Sequence, residues 1–231
     1  MSQQAGAMQA GSAVGFNRFM SLVYLVMAIG LAITAYVSHS VASNPDLVRR
    51  ILFDSWFVWG IFILQIIVVV ALSARVMSMS PAVAFILFLV YAVLVGISIS
   101  TIFIFYSQSS IAQTFLVASG MFLVSSIIGI LIRRDLSGMA QFLLMVLFGW
   151  LAAWLLSIFF PFSAAFDQTL TIIGIFLFAG LTVWDTNRLK QLSNQLEGKH
   201  GIGGLVVIGA LTLYLDFINL FLLLLRASNR R

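Results

Sequence analysis

Long apolar runs separated by short polar breaks are the dominant pattern along this chain. Each run is about as long as the ~20 residues a helix needs to cross a bilayer. The pattern predicts seven spanning helices, over about 19–39, 56–74, 82–104, 111–132, 139–160, 168–187 and 202–225. Pro45, Pro81 and Pro161, the chain's three prolines, fall between these runs, where a missing backbone donor costs little. Residues 1–17 are small and polar, with no basic segment ahead of an apolar one. They read as a disordered tail and not as a cleaved signal peptide. A membrane domain over 18–226 and a short basic tail over 227–231 complete the division. The connections are short except near 40–55 and 188–200, which leaves no room for a soluble domain.

Composition agrees with this reading. Apolar residues make up 62% of the chain and charged residues 8%, with a mean hydropathy of +1.13; a soluble domain carries roughly 25% charged residues. The fold class expected is an all-α polytopic membrane protein. Without cysteine the chain has no disulfide, thiolate nucleophile or cysteine-bound metal. His39 and His200 stand alone, His39 at the outer end of the first span. The net charge of +5 lies in loops and tail, where basic residues set topology, so no nucleic-acid partner is expected. With the N-terminus cytoplasmic, Arg18, Arg75, Arg133, Arg134, Arg188, Lys190 and Lys199 fall inside, and only Arg49 and Arg50 outside. The tail arginines Arg226, Arg230 and Arg231 then lie outside, against the bias. A full crossing by the last run is still expected from its length.

Asp46, Asp54, Asp135, Asp167 and Glu197 sit in loops or at helix ends, as solvated charges do. Asp216 differs: it lies about fourteen residues into the last run, near the bilayer midplane. An ionised aspartate there costs about 2.5–3.5 kcal/mol. Protonating an ordinary carboxyl at pH 7 costs a similar amount, roughly 4 kcal/mol. Neither state is decisively favoured, and an ionisable group at this depth is a functional-site candidate. Gly209, Thr212, Asp216 and Asn219 share one helical face, a small and polar stripe that faces protein or a cavity.

Asp185, at the end of the sixth run, is the expected partner. It should lie shallower than Asp216 and meet it when one end of the bundle closes. Two close carboxyls share a proton instead of both ionising. Arg75 ends the second run on the same predicted side. The plainer alternatives are a packing contact for Asp216, an ion pair with Arg188 for Asp185, and snorkelling for Arg75. Thr182, Thr212 and Asn219 are candidate supporting or pore-lining groups, and Gln65, Ser98, Ser100, Ser125 and Ser126 add further interior polarity.

The run Ala210-Leu-Thr-Leu-Tyr-Leu-Asp-Phe-Ile-Asn-Leu-Phe221, followed by leucines and Arg226, strongly resembles the last helix of the Bax inhibitor-1 family. The segment Trp184-Asp185-Thr-Asn-Arg-Leu-Lys190 is similar to that family's sixth-helix end, with Trp184 in place of the usual Tyr. The likeness covers about residue 14 to the tail. It implies seven helices, six around a central last one, and a pH-sensitive calcium leak governed by an aspartate pair. Carried over residue by residue, the pair is Asp185 and Asp216, with Arg75 competing for Asp185. Calcium would be the permeant ion, held transiently by the two carboxyls, with no resident cofactor. The chain reads as a bacterial member, in the cell inner membrane. Bacterial members also include a regulator of a membrane-bound ATP-dependent protease, so helix-mediated modulation of such a protease or of cell-death or stress partners, without ion transport, stands as the alternative.

No enzymatic role is expected. Intramembrane aspartyl proteases carry Gly-x-Gly-Asp at the second aspartate, where this chain has Leu213-Tyr214-Leu215-Asp216. Their Pro-Ala-Leu element is missing too, the nearest string being Pro81-Ala82-Val83.

Overall fold

The computed structural model describes residues 2–76, 78–134, 136–195 and 202–228. Its helices are α1 (Ser2–Ala42), α2 (Pro45–Phe53), α3 (Ser55–Arg75), α4 (Pro81–Ile99), α5 (Ile102–Phe105), α6 (Gln108–Leu131), α7 (Ser137–Phe159), α8 (Ala164–Gln195) and α9 (Ile202–Ser228). No strand occurs among the described residues. Among the described residues, seven segments are long and apolar enough to cross a membrane: Phe16–Ala42, Ser55–Arg75, Pro81–Phe105, Gln108–Leu131, Gly138–Ser157, Ala164–Ser193 and Gly203–Ser228. The protein is an all-α, multi-pass membrane protein.

Three details differ from the sequence expectation. Helical backbone reaches back to Ser2, into the segment expected to be a disordered tail; its Ala, Gln and Met residues are good helix formers. The 40–55 connection holds the short amphipathic helix α2. Asn44 caps it, accepting from the Asp46 and Leu47 amides, and Pro45 occupies its first turn, where no backbone donor is needed. Helix α8 runs past 187, because Leu189 is buried and the intervening residues favour helix. Asp135 and the stretch 196–201, with Glu197, Lys199 and His200, lie outside the described residues, as do Arg230 and Arg231 of the tail.

The chain forms two compact units. The first comprises 1–107 and 191–214, the second 108–190 and 215–231, so α9 contributes its first half to one and its second half to the other. In the first unit α1 and α4 approach closely at Gly96. A Cβ there would come within 2.9 Å of the Thr34 carbonyl oxygen and of Val37. The Thr34 hydroxyl donates to the Ala92 carbonyl (2.9 Å), which uses its one proton. The Tyr214 hydroxyl, 2.6 Å away, therefore donates to Thr34. The Tyr214 ring meets Phe88 edge to face at 5.6 Å. Gln65 on α3 donates to the Leu94 carbonyl and to Ser98 on α4.

In the second unit, α6 and α8 touch at Gly129, where a Cβ would lie 2.5 Å from the Val183 carbonyl oxygen and 2.9 Å from the Thr186 Cβ. Close backbone approach over small residues is how helices associate without a hydrophobic drive between them. Arg226 near the end of α9 pairs with Asp167 near the start of α8 at 3.1 Å. Those two ends therefore share a face, and the two helices run antiparallel. Burial separates the spans clearly. Of the last span 67% is buried, against 11% for those of α3 and α7. Trp56, Ile67, Met145 and Phe148 leave apolar surface for lipid.

Candidate functional site

Helix α8 builds one side of the site through its 3.6-residue period, which puts Thr182, Asp185 and Thr186 on a single buried face. Helix α9 supplies Asp216 from its midst. Asp185 is 7% exposed, Asp216 5% and Thr182 0%. The carboxyl groups of Asp185 and Asp216 lie close enough to act on each other directly. The two acids that the sequence singled out are neighbours in this structure.

Donor counting says what such a contact requires. Ionised carboxylates only accept, so two of them bond directly only when a proton lies between them. Thr182 is also in contact with Asp216. Its hydroxyl donates to the Phe178 carbonyl at 2.8 Å. Asp216 Oδ2 is buried and meets no hydrogen-bond partner among the described residues. Arg188 acts on Asp185 through space, and its guanidinium lies 5.4 Å above the Trp184 ring. The site is thus a buried pair of acids on which the Arg188 cation acts, where a change of a single charge has a large electrostatic effect.

The end of α6 beside this pair is secured by α8. Asn187, 2% exposed, donates from Nδ2 to the Gly129 carbonyl (3.0 Å) and the Ile132 carbonyl (2.9 Å). Lys190 Nζ donates to the Ile130 carbonyl at 2.6 Å. These are the carbonyls a helix end leaves without intrahelical partners. The Thr186 hydroxyl reaches Ser126 at 3.4 Å. The sequence reading overlooked Asn187 and the structural use of Lys190. Their spacing from Val183 and Thr186 on one helical face was the available signal.

Two of the other expected residues bond within their own helix. Thr212 donates to the Ile208 carbonyl (3.0 Å) and Asn219 to the Leu215 carbonyl (2.8 Å), so each satisfies its own helix. Arg75 lies in the first unit, exposed at the end of α3, where its carbonyl accepts from Ser78 and Met79. His39 is exposed beside Phe103, with ring centroids 5.4 Å apart. Among the described residues no group of three or more acidic or histidine side chains is placed to hold a metal ion. Two carboxyls alone fall short of the six to eight oxygens calcium takes in a resident site.

Residues 16–231 match the family model described as inhibitor of apoptosis-promoting Bax1. The chain belongs to the Bax inhibitor-1 family. Its relatives include the inner membrane protein YbhL of Escherichia coli K12, 40% identical over 220 residues that cover 94% of each chain. An uncharacterised protein of Borreliella burgdorferi is 35% identical over 216 residues, 93% of each chain. An uncharacterised membrane protein of Streptococcus pyogenes is 33% identical over 221 residues, 95% of each chain. The family match takes in all seven spans.

Proposed function

We propose that the protein is a pH-sensitive calcium leak in a bacterial inner membrane, gated by Asp185 and Asp216. The buried contact between these two carboxyls carries the reading. A shared proton ties α8 to α9 and keeps the path closed. Losing it leaves two like charges, which at about 4 Å and an effective dielectric near 20 repel by roughly 4 kcal/mol. An interhelical hydrogen bond in a membrane contributes about 0.6 kcal/mol on average, so the repulsion is large enough to part the helices. The parted carboxylates are hard oxygen ligands, suited to passing calcium briefly while waters supply the rest of its shell. Arg75 is assigned the role of competing for Asp185 in the open form. The N-terminus is cytoplasmic, by the excess of basic residues on that side. The protein is not an enzyme, and it needs no cofactor.

The test is calcium influx into dye-loaded liposomes carrying the purified protein, recorded between pH 6 and 8. Wild type should show a pH-dependent leak that Asp185→Asn and Asp216→Asn each flatten, with every variant checked for helical content. Influx no greater than into protein-free liposomes at any pH would overturn the reading. The membrane-bound protease regulator role would then take its place, tested by capture of partners from the membrane.

A further inference from the structure

In the second unit the polar surface facing α6 is not continuous. A cleft of about 470 Å³ opens where α6 begins and α9 ends, lined by Ser110, Gln113 and Thr114 with Leu224 and Ser228. On α6 the same stripe continues at intervals of three and four through Ala118 and Phe122 to Ser125, Ser126 and Gly129, all buried. Polar or small groups therefore flank a single bulky position, Phe122. On α9 the stripe of Ser228 and Leu224 continues through Phe221 to Phe217, which directly follows Asp216. The rings meet. Phe217 packs edge to face with Phe122 at 5.6 Å and with Phe115 at 5.3 Å, and Phe221 with Phe115 at 6.1 Å. Phe122 and Phe217 are 4% and 3% exposed. Thr114 in the cleft and Phe122 are eight residues apart, about 12 Å along the helix.

We propose that Phe122 and Phe217 form an apolar constriction between the polar cleft and the carboxyl pair, so that the cleft is the hydrated vestibule of the path and the rings exclude water from the acids beyond it. The assignment of a path rests on the leak reading above; the water barrier itself does not. An apolar constriction of this kind blocks ions by dewetting, with no charge of its own. Because Phe217 is the neighbour of Asp216 on the same helix, a rotation or translation of α9 that parts the carboxyls also shifts this ring relative to Phe122. The barrier and the acid pair thus share α9.

The chain has no native cysteine, so single cysteines report water access directly. Thr114→Cys samples the cleft and Ser126→Cys the far side of the rings. Each is placed in the full chain in liposomes, with a membrane-impermeant cationic thiol reagent added on the side from which Thr114→Cys reacts. Thr114→Cys should react at the same rate whether or not Phe217 is changed. Ser126→Cys should react slowly in the presence of both rings and faster with Phe217→Ala. Loss of the edge-to-face contacts corresponds to about a two- to tenfold change. Phe217→Leu keeps most of the volume and should give a smaller change of the same sign; it decides the matter if the alanine variant does not fold. Calcium influx through Phe217→Ala should rise at the pH where wild type leaks least.

Equal reactivity of Ser126→Cys with and without the Phe217 ring overturns the constriction, and so does an unreactive Thr114→Cys. If the labelling pattern holds while no protein form passes calcium, the leak reading fails and the barrier stands. If calcium passes and labelling is unaffected by the ring, the barrier fails alone.

Discussion

Helix α6 carries two glycines in opposite circumstances, and comparing them isolates the contact that sets α6 against α8. A Cβ at Gly120 meets nothing within 4 Å, whereas at Gly129 it would lie 2.5 Å from the Val183 carbonyl oxygen, 2.9 Å from the Thr186 Cβ and 3.3 Å from the Asn187 nitrogen. Two of these neighbours are backbone, which cannot swing aside. Restoring ordinary contact, which begins at 3.4 Å, requires the helices to part by about 1 Å, and overpacking of this kind costs about 1–3 kcal/mol. Both Gly→Ala changes gain the same helix propensity, up to about 1 kcal/mol, so that contribution cancels in the difference. Gly129→Ala should therefore be about 1–3 kcal/mol less stable than Gly120→Ala, a factor of roughly five to more than a hundred in the folding constant. The assay is titration of mixed micelles with sodium dodecyl sulfate, followed by far-ultraviolet circular dichroism. A difference below about 0.5 kcal/mol, the usual scatter between independent substitutions, would refute the packing described. Because Val183, Thr186 and Asn187 flank Asp185, the same variant should also disturb the acid pair.

The same titration checks two other contacts. Thr34→Val removes the bond to the Ala92 carbonyl and the acceptor of the Tyr214 hydroxyl and should cost about 1–3 kcal/mol; Tyr214→Phe should cost less, and the double variant should fall short of the sum because the two share one bond. Arg226→Gln breaks an ion pair whose side chains are 39% and 31% exposed, so it should cost less than about 1 kcal/mol, and a loss that persists unchanged in high salt would show that the interaction is not electrostatic.

Much of the architecture was legible because a bilayer imposes a length on every apolar run, and the seven expected spans match the seven observed closely. What the runs could not reveal was the break after Ile99, where the Ser100 amide bonds back to the Ile97 carbonyl and α5 follows. Nor did they reveal α2, whose signal is the Asn44-Pro45 start and not its hydropathy. At the site, Asp216 and Asp185 stood out because a charge inside an apolar helix is expensive wherever the helix packs. Asn187, Lys190 and the rings of Phe122 and Phe217 did not stand out. A lysine near a helix end and phenylalanines in an apolar run are ordinary by composition, and only the neighbouring helix gives them a role. Thr212 and Asn219 show the reverse, since their face on α9 suggested an interior function while their hydrogen bonds turn back to their own backbone.

The pairing of Arg226 with Asp167 bears on how the protein is made. Fifty-nine residues separate the partners, and at about 5–20 residues per second the ribosome needs several seconds to travel from the acid to the base. Asp167 is thus waiting at the membrane surface before the last helix is synthesised. Arg226 meets this counterion only once its own helix has brought it to the end of the bundle segment where α8 begins. The pair is therefore among the last contacts the chain can make, begun by an earlier helix and completed by the final one.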